Sequence, residues 1–276
     1  MKKVVYVLSS NYSGSHLLSL VIGSHSRFQH IGEVKGLRNN KHPDRQYCGI
    51  CDGHENCPVL GGISPDNVDD IFETIFSNVN ENVNALVDTS KKTFWAKRFL
   101  NDNRYEKKFV FLIRDPRSLV RRWLIDEKLN VSRERLKLFK YPPRYIKMGL
   151  FGDNVDFYVG KWLQQNWKIS NFINKFKLDG FTLTYHDLVM KESKVLSDLM
   201  SWLGETYEPG QEAYWNFTHH GSSKTKYRHT KERTLDCRWK EYLTQEQQEK
   251  VANNPNVQKF LKKCGVMMND DGLTLD

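Results

Sequence analysis

The sequence predicts an α/β fold, a central parallel sheet flanked by helices. Short β-branched or aromatic runs alternate along the chain with helical patterns, the order that a parallel sheet and its crossovers require. The clearest strand, Phe109–Ile113 (FVFLI), is apolar at every position, as a buried strand is. The first strand runs into a loop of small residues and then an apolar helix, the opening of many ligand-binding α/β folds.

The elements come in this order. Lys3–Ser9 (KVVYVLS) is the first strand. Ser15–Gly23 carries Leu17, Leu18, Leu20, Val21 and Ile22, the dense apolar pattern of a buried helix. Phe28–Ile31 reads as a short second strand. Residues 35–65 hold glycines, prolines, three cysteines and little periodicity, and read as an irregular insert. Asp66 is placed to cap a helix through about Val79, with Val68, Ile71, Phe72, Ile75 and Phe76 on one face. Ala85–Val87 is a brief strand ending in Asp88-Thr89-Ser90-Lys91. Phe109–Ile113 leads into Arg114-Asp115-Pro116-Arg117, where Pro116 suits the first turn of a helix. Residues 155–178 form a long aromatic-rich helix, and Phe181–Thr184 returns as a strand. Ser193–Leu203 is an amphipathic helix stopped by Gly204. Residues 211–240 are basic and irregular, and a last helical stretch begins near Thr244, with Gln247 completing a capping box. At 276 residues, with no internal repeat or low-complexity linker, a single domain spanning 1–276 is the economical expectation.

Composition narrows the function classes. Hydrophobic residues at 39% and charged residues at 27% exclude a wholly disordered chain. Lys and Arg outnumber Asp and Glu by 42 to 33, a net +9, which suits an anionic ligand or is simply a basic surface. No stretch reaches the ~18 apolar residues that span a bilayer. The apolar start is broken by Ser9-Ser10-Asn11-Tyr12-Ser13-Gly14, so it reads as a strand and loop rather than a signal peptide, and the expected location is cytoplasmic. Five cysteines, an odd number, weigh against a disulfide scaffold.

A strand, a small-residue loop and a helix together make a phosphate site, because loop and helix-start N–H groups converge on one anion. Asn11, Tyr12, Ser13, Gly14, Ser15, His16 and Leu17 form that loop. The nucleotide-triphosphate pattern GxxxxGK[ST] is absent, since no lysine follows Gly14. The segment resembles the 5′-phosphosulfate loop of sulfotransferases that use PAPS (3′-phosphoadenosine-5′-phosphosulfate), where the first strand is followed by R-S-G-S/T-T-L. Ser13-Gly14-Ser15 and Leu17 match that pattern. Tyr12 stands in place of the usual cation, and His16 in place of Ser or Thr.

Further segments resemble the family in order. Glu33, after Gly32, matches the catalytic-base glutamate of protein-tyrosine sulfotransferases and their bacterial relatives; the other reading is a solvated loop glutamate. Asp88-Thr89-Ser90-Lys91 resembles the D-S-S-K signature, which implies that Lys91 meets charge on the departing phosphate. Strand-then-Arg114-Asp115-Pro116-Arg117 resembles the 3′-phosphate segment, with Arg114 as the guanidinium fork; Arg122, after Arg121, stands where the family has a serine, or both arginines face solvent. Tyr185-His186-Asp187-Leu188-Val189 resembles Y-E-D-L-V, which implies that Tyr185 lies near the adenine. His219 to Arg228 resembles the late donor-closing loop, which brings in Lys224 and Arg228, and Asp236, Trp239 and Leu243-Thr244 match the family's tail.

The resemblance runs from residue 3 to about 250 and implies a P-loop-NTPase-like sulfotransferase fold. It also implies PAPS as co-substrate, adenosine 3′,5′-bisphosphate as product, no required metal, and Glu33, Lys91 and His16 as the catalytic candidates. The acceptor it implies is a small molecule, a carbohydrate or a protein; oligomeric state stays open. A degenerate, PAPS-binding relative, a related nucleotide kinase and a polyanion-binding module are the alternatives. The kinase lacks its Gly-Lys-Ser/Thr and an acidic Mg²⁺ pair, and no nucleic-acid motif is present, so no nucleic-acid partner is expected. Cys48, Cys51 and Cys57, with His42 and His54 nearby, are open to zinc, a local disulfide or free thiols, Cys237 being a candidate fourth ligand. Cys264 reads as a helix-packing cysteine. Aromatics in 139–167 line either an acceptor cleft or the core.

Overall fold

The computed structural model describes residues 1–38, 48, 50–51, 53, 55–126, 135, 143–221 and 234–275. Strand β1 (Lys3–Ser9) leads to helix α1 (Ser15–Ile22), β2 (Phe28–Gly32) and a 3₁₀ turn at Val34–Arg38. A second 3₁₀ turn (Pro65–Asp70) opens α2 (Ile71–Asn78), then β3 (Ala85–Lys91), α3 (Thr93–Arg98), β4 (Glu106–Ile113) and α4 (Pro116–Arg121). A π-helical turn, Arg122–Asp126, extends α4. Helices α5 (Pro143–Phe151) and α6 (Asn154–Lys175) precede β5 (Gly180–Thr184), α7 (Tyr185–Met190) and α8 (Glu192–Trp202). After a 3₁₀ segment at Pro209–Asn216 come α9 (Trp239–Tyr242), α10 (Gln245–Ala252), α11 (Pro255–Lys263) and the hairpin β6 (Val266–Met268) with β7 (Leu273–Leu275).

Five strands form one sheet in the order β2-β3-β1-β4-β5, every pairing parallel. Alternation along β1 explains why positions 4–8 all carry large hydrophobic side chains. Val4, Tyr6 and Leu8 face the layer holding Phe72, Trp162 and Phe260, while Val5 and Val7 face Leu18, Leu196 and Leu199. The chain leaves β1 through α1 for the far edge, and β4 lies on β1's other side. The carboxyl ends of β1, β3 and β4 therefore meet at a topological switch point, where open α/β sheets bind ligands.

Some boundaries differ from the sequence expectation. Ser64, not Asp66, caps the stretch before α2, its hydroxyl accepting from the Asp66 N–H at 3.2 Å. Asn67 leaves helical dihedrals (φ −115°, ψ 48°), so the regular helix starts only at Ile71. The expected apolar face, Val68 to Phe76, is buried as read. Strand β3 runs on to Lys91, past a bulge where Tyr6 pairs with Asp88 but Leu8 with Lys91. The Thr244–Gln247 capping box is present. No described helix is long and apolar enough to cross a membrane.

Candidate active site

The loop after β1 is held open to a ligand by its own backbone. Tyr12 (φ 68°) and Gly14 (φ 90°) both adopt left-handed conformations. A Cβ on Gly14 would fall 2.4 Å from Cδ2 of Tyr185, so only glycine lets the loop lie against that ring. Ser10, Ser13 and Ser15 are buried. The Ser10 hydroxyl accepts from Asn166 Nδ2 at 3.1 Å, which ties the loop to α6. The Ser13 hydroxyl is buried with no hydrogen-bond partner among the described residues, an orphan that an anion in the loop would satisfy. Leu17 contributes to the apolar core, so its part in the loop is through its backbone. His16 meets the buried His30 edge-on, ring centroids 5.1 Å apart.

The turn after β2 and the end of β3 bring the two principal candidates together: Lys91 Nζ donates to Glu33 Oε1. The intervening motif explains the placement. Buried Asp88 accepts from the Ser90 N–H (2.7 Å), the Ser90 hydroxyl (2.5 Å) and Trp95 Nε1 (2.7 Å), fixing the bulge that presents Lys91. Ser90 Oγ in turn accepts from the Lys35 N–H at 3.1 Å, clamping the Glu33 turn beside β3. Burial raises the Asp88 carboxyl to about 6 even against those three bonds, with the Glu33 charge adding to the rise.

Lys92 is a site residue that the sequence reading does not single out. Its ammonium donates to Asn11 Oδ1 at 3.1 Å, placing a second cation against the loop. Burial, then the neighbouring charges of Lys35, Lys91 and Lys168, lowers it to about 8. Lys91 and Lys92 line an open cleft whose α6 wall is Gln164, Gln165 and Lys168. Those three sit at i, i+1 and i+4 on a helix whose buried face is apolar; that spacing is the available signal.

On the other side of the loop, Arg114 NH1 donates to the Tyr12 carbonyl at 2.8 Å, and its guanidinium lies 4.2 Å from the Tyr185 ring centroid. NH2 donates to Asp236 Oδ2 at 2.8 Å, and Nε is buried without a partner among the described residues. Arg238 also donates to Asp236 (2.8 Å), and Arg121 lies 3.8 Å away. Burial pushes the Asp236 carboxyl up, but the Arg238 bond and the three guanidinium charges outweigh it and hold the group below the usual range. Three arginines thus converge on one anionic group. Arg121 does not face solvent: its side chain is 2% exposed and bonded to Asp126. Arg122 stacks on the Tyr12 ring, 4.1 Å from its centroid, so the cation missing from position 12 arrives from the turn that extends α4. Tyr185 donates its OH to the Thr234 carbonyl (3.3 Å), and His186 lies against Gly272 of the hairpin.

Tyr145, Phe157, Tyr158 and Trp162 are core residues, not cleft lining. Lys224, Arg228, His42, His54, Phe139 and Tyr141 lie outside the described residues. None of the five cysteines is in a disulfide, so the disulfide reading of the insert is not realised. Cys237 is directed to the Asp271 carbonyl (3.6 Å) rather than to the other thiols, and Cys264 packs against the core as expected.

No protein-family profile and no curated protein matches the chain. Among solved structures, a sulfotransferase domain from the Curacin biosynthetic pathway superposes with TM-score 0.63 at 17% identity, covering 96% of this chain and 98% of that one. The chain has the sulfotransferase fold. A sulfotransferase domain of the Synechococcus PCC 7002 olefin synthase (TM-score 0.48, 16% identity, 98% of each chain) is also similar. So is mouse sulfotransferase SULT7A1 complexed with PAP (TM-score 0.49, 14% identity, 95% and 88%). In this sulfotransferase fold the loop after β1, Lys91 and Arg114 share one end of the sheet.

Proposed function

We propose that the protein transfers the sulfo group of PAPS, in line, to a hydroxyl or amine acceptor, releasing adenosine 3′,5′-bisphosphate. The observation that carries this reading is the pairing of two anion-binding features across one loop. The backbone amides and orphaned Ser13 hydroxyl suit the phosphosulfate, while the Arg114, Arg121 and Arg238 cluster suits a second phosphate. A ligand with phosphates at both ends of a nucleoside matches that layout.

Each residue then has a task. Lys91 and Lys92 offset charge on the 5′ side, and Tyr185 and Arg114 form a flat wall for adenine. Glu33 takes the acceptor's proton as the acceptor oxygen or nitrogen bonds to sulfur and the bond from sulfur to the donor phosphate breaks. Without donor, Lys91 and Glu33 neutralise one another; an anionic donor draws Lys91 and leaves the carboxylate available as base. Gln165 Oε1, buried with no partner among the described residues, suits an acceptor that donates a hydrogen bond.

Ligand choice tests the reading. Calorimetry should give adenosine 3′,5′-bisphosphate about one to two decades more affinity than 5′-AMP, since a charge-assisted bidentate contact contributes roughly 1.5–3 kcal/mol. Arg114→Ala should abolish the difference and keep the fold, because Asp236 retains Arg238. Equal affinities in the unaltered protein would sink the assignment.

Lys92 adds a pH test. In the free protein it loses its charge as pH rises through about 8, so binding the bisphosphate above that pH must take up a proton. Affinity should fall by up to about tenfold per pH unit there. Lys92→Met should bind more weakly and flatten that alkaline limb; a limb unchanged in the variant rules Lys92 out as the cation.

A further inference from the structure

The insert carries a second constellation, made of residues to which the transfer reaction gives no task. The thiols of Cys48, Cys51 and Cys57 surround Nδ1 of His220 at 3.6, 3.6 and 3.3 Å, and the four ligand atoms all lie within 4.8 Å of one another. Hydrogen bonding does not account for three sulfurs about one nitrogen, because an imidazole nitrogen carries one proton or one lone pair. A shared ion does. Zinc holds sulfur at about 2.3 Å and nitrogen at about 2.0–2.1 Å, and at tetrahedral angles that sets sulfur about 3.5 Å from nitrogen. The observed spacings match.

We propose that Cys48, Cys51, Cys57 and His220 bind one zinc ion as a closed, structural Cys₃His site. Four protein ligands leave no open position for catalysis, and three soft thiolates with one imidazole favour zinc over oxygen-seeking cations. Cys48 and Cys57 are buried, and the Leu60 N–H points at Cys57 Sγ (3.4 Å), the outer-shell bond that thiolate ligands commonly accept. The spacing C-x2-C-x5-C supplies three ligands, and the fourth comes from 163 residues further on.

The ion's work is to fasten that distant segment to the insert and to the Glu33 end of β2. His219, beside the ligand, is buried, with a ring nitrogen 2.8 Å from the Tyr214 carbonyl. At Gly221 a Cβ would fall 2.9 Å from His30 Nε2 and 3.4 Å from the Gly32 Cα, one residue before Glu33. The chain here lies too close to β2 for any side chain. The insert itself contributes Val59 and Leu60 to the core beside Ile31 and Val34, but its described residues before Pro65 form no helix or strand beyond the Val34–Arg38 turn. A metal crosslink supplies the order that the backbone does not.

Elemental analysis of untagged, full-length protein should find about one zinc per chain. Cobalt exchanged into the site should show thiolate-to-metal charge transfer and the visible bands of tetrahedral Co²⁺. Cys57→Ser and His220→Ala should lose the metal, and His220→Cys, which builds a Cys₄ site, should keep it. Chelation of the unaltered protein should lower its thermal midpoint and expose three thiols to titration, a readout that needs no folded variant. Protein that is metal-free as isolated and binds no Co²⁺ overturns the proposal. So does an iron–sulfur absorption spectrum, or metal retained at full stoichiometry by Cys57→Ser and His220→Ala together.

Discussion

Glu33→Gln is expected to lower turnover by roughly two to four decades while leaving the affinity for adenosine 3′,5′-bisphosphate within a few-fold of its original value. Glutamine keeps the size of the side chain and an oxygen for Lys91 to bond, so the local geometry persists. What it cannot do is accept the acceptor's proton. Glu33 is half-exposed, where an incoming acceptor would reach it, and its turn is clamped by the Lys35–Ser90 bond. A base must be ionised to act, so the unaltered protein should show an acid limb in its rate profile that the glutamine variant lacks. The measurement is single-turnover transfer from labelled PAPS, with calorimetry on the product nucleotide alongside. Near-full turnover in the variant would move the base elsewhere, first to His16, and would break the carry-over from the tyrosine-sulfotransferase pattern.

Much of this site is legible in the sequence because its residues sit at strand ends. Apolar runs as dense as KVVYVLS and FVFLI have one stable use in a chain of this size, and the residues just after such a run are delivered to the ligand-binding edge. Arg114 stands out for that reason, and Lys91 through the likeness of Asp88-Thr89-Ser90-Lys91 to the D-S-S-K signature. Residues whose roles depend on chain segments far apart do not. Nothing local says that Asp236 lies under three arginines, that Lys92 reaches Asn11, or that Arg122 covers Tyr12. His220 reads as part of a donor-closing loop, because 163 residues separate it from the nearest of the three insert thiols. The short elements escape for another reason: α3 has six residues and the β6–β7 hairpin two strands of three, too few for periodicity to register. Strand β3 reads short because Asp88-Thr89-Ser90 looks like loop, yet pairing with β1 and the buried Asp88 bonds hold it extended. Local polarity loses there to sheet hydrogen bonding.

Lys91→Ala should lower turnover by roughly two to three decades, the scale of losing one group that stabilises charge in the transition state, and should weaken donor binding as well. That joint loss separates it from Glu33→Gln. The fold should survive the change. Lys91 adopts φ 62°, a strain alanine shares, and its partner Glu33 is half-exposed, where an ion pair contributes about 1 kcal/mol or less. A thermal midpoint near the original value would then assign the kinetic loss to chemistry. The double variant carries the sharper information. If the two residues act on opposite sides of the transferring group, one on the acceptor's proton and the other on the departing phosphate, the double variant should be slower than either single variant, though short of full additivity because the two side chains touch. Suppose instead that Lys91 matters only because it holds Glu33 in place. Glu33→Gln would already have removed everything Lys91 positions, and adding Lys91→Ala would cost no further turnover. A double variant no slower than Glu33→Gln alone would therefore demote Lys91 from a group that meets the donor to one that positions the base.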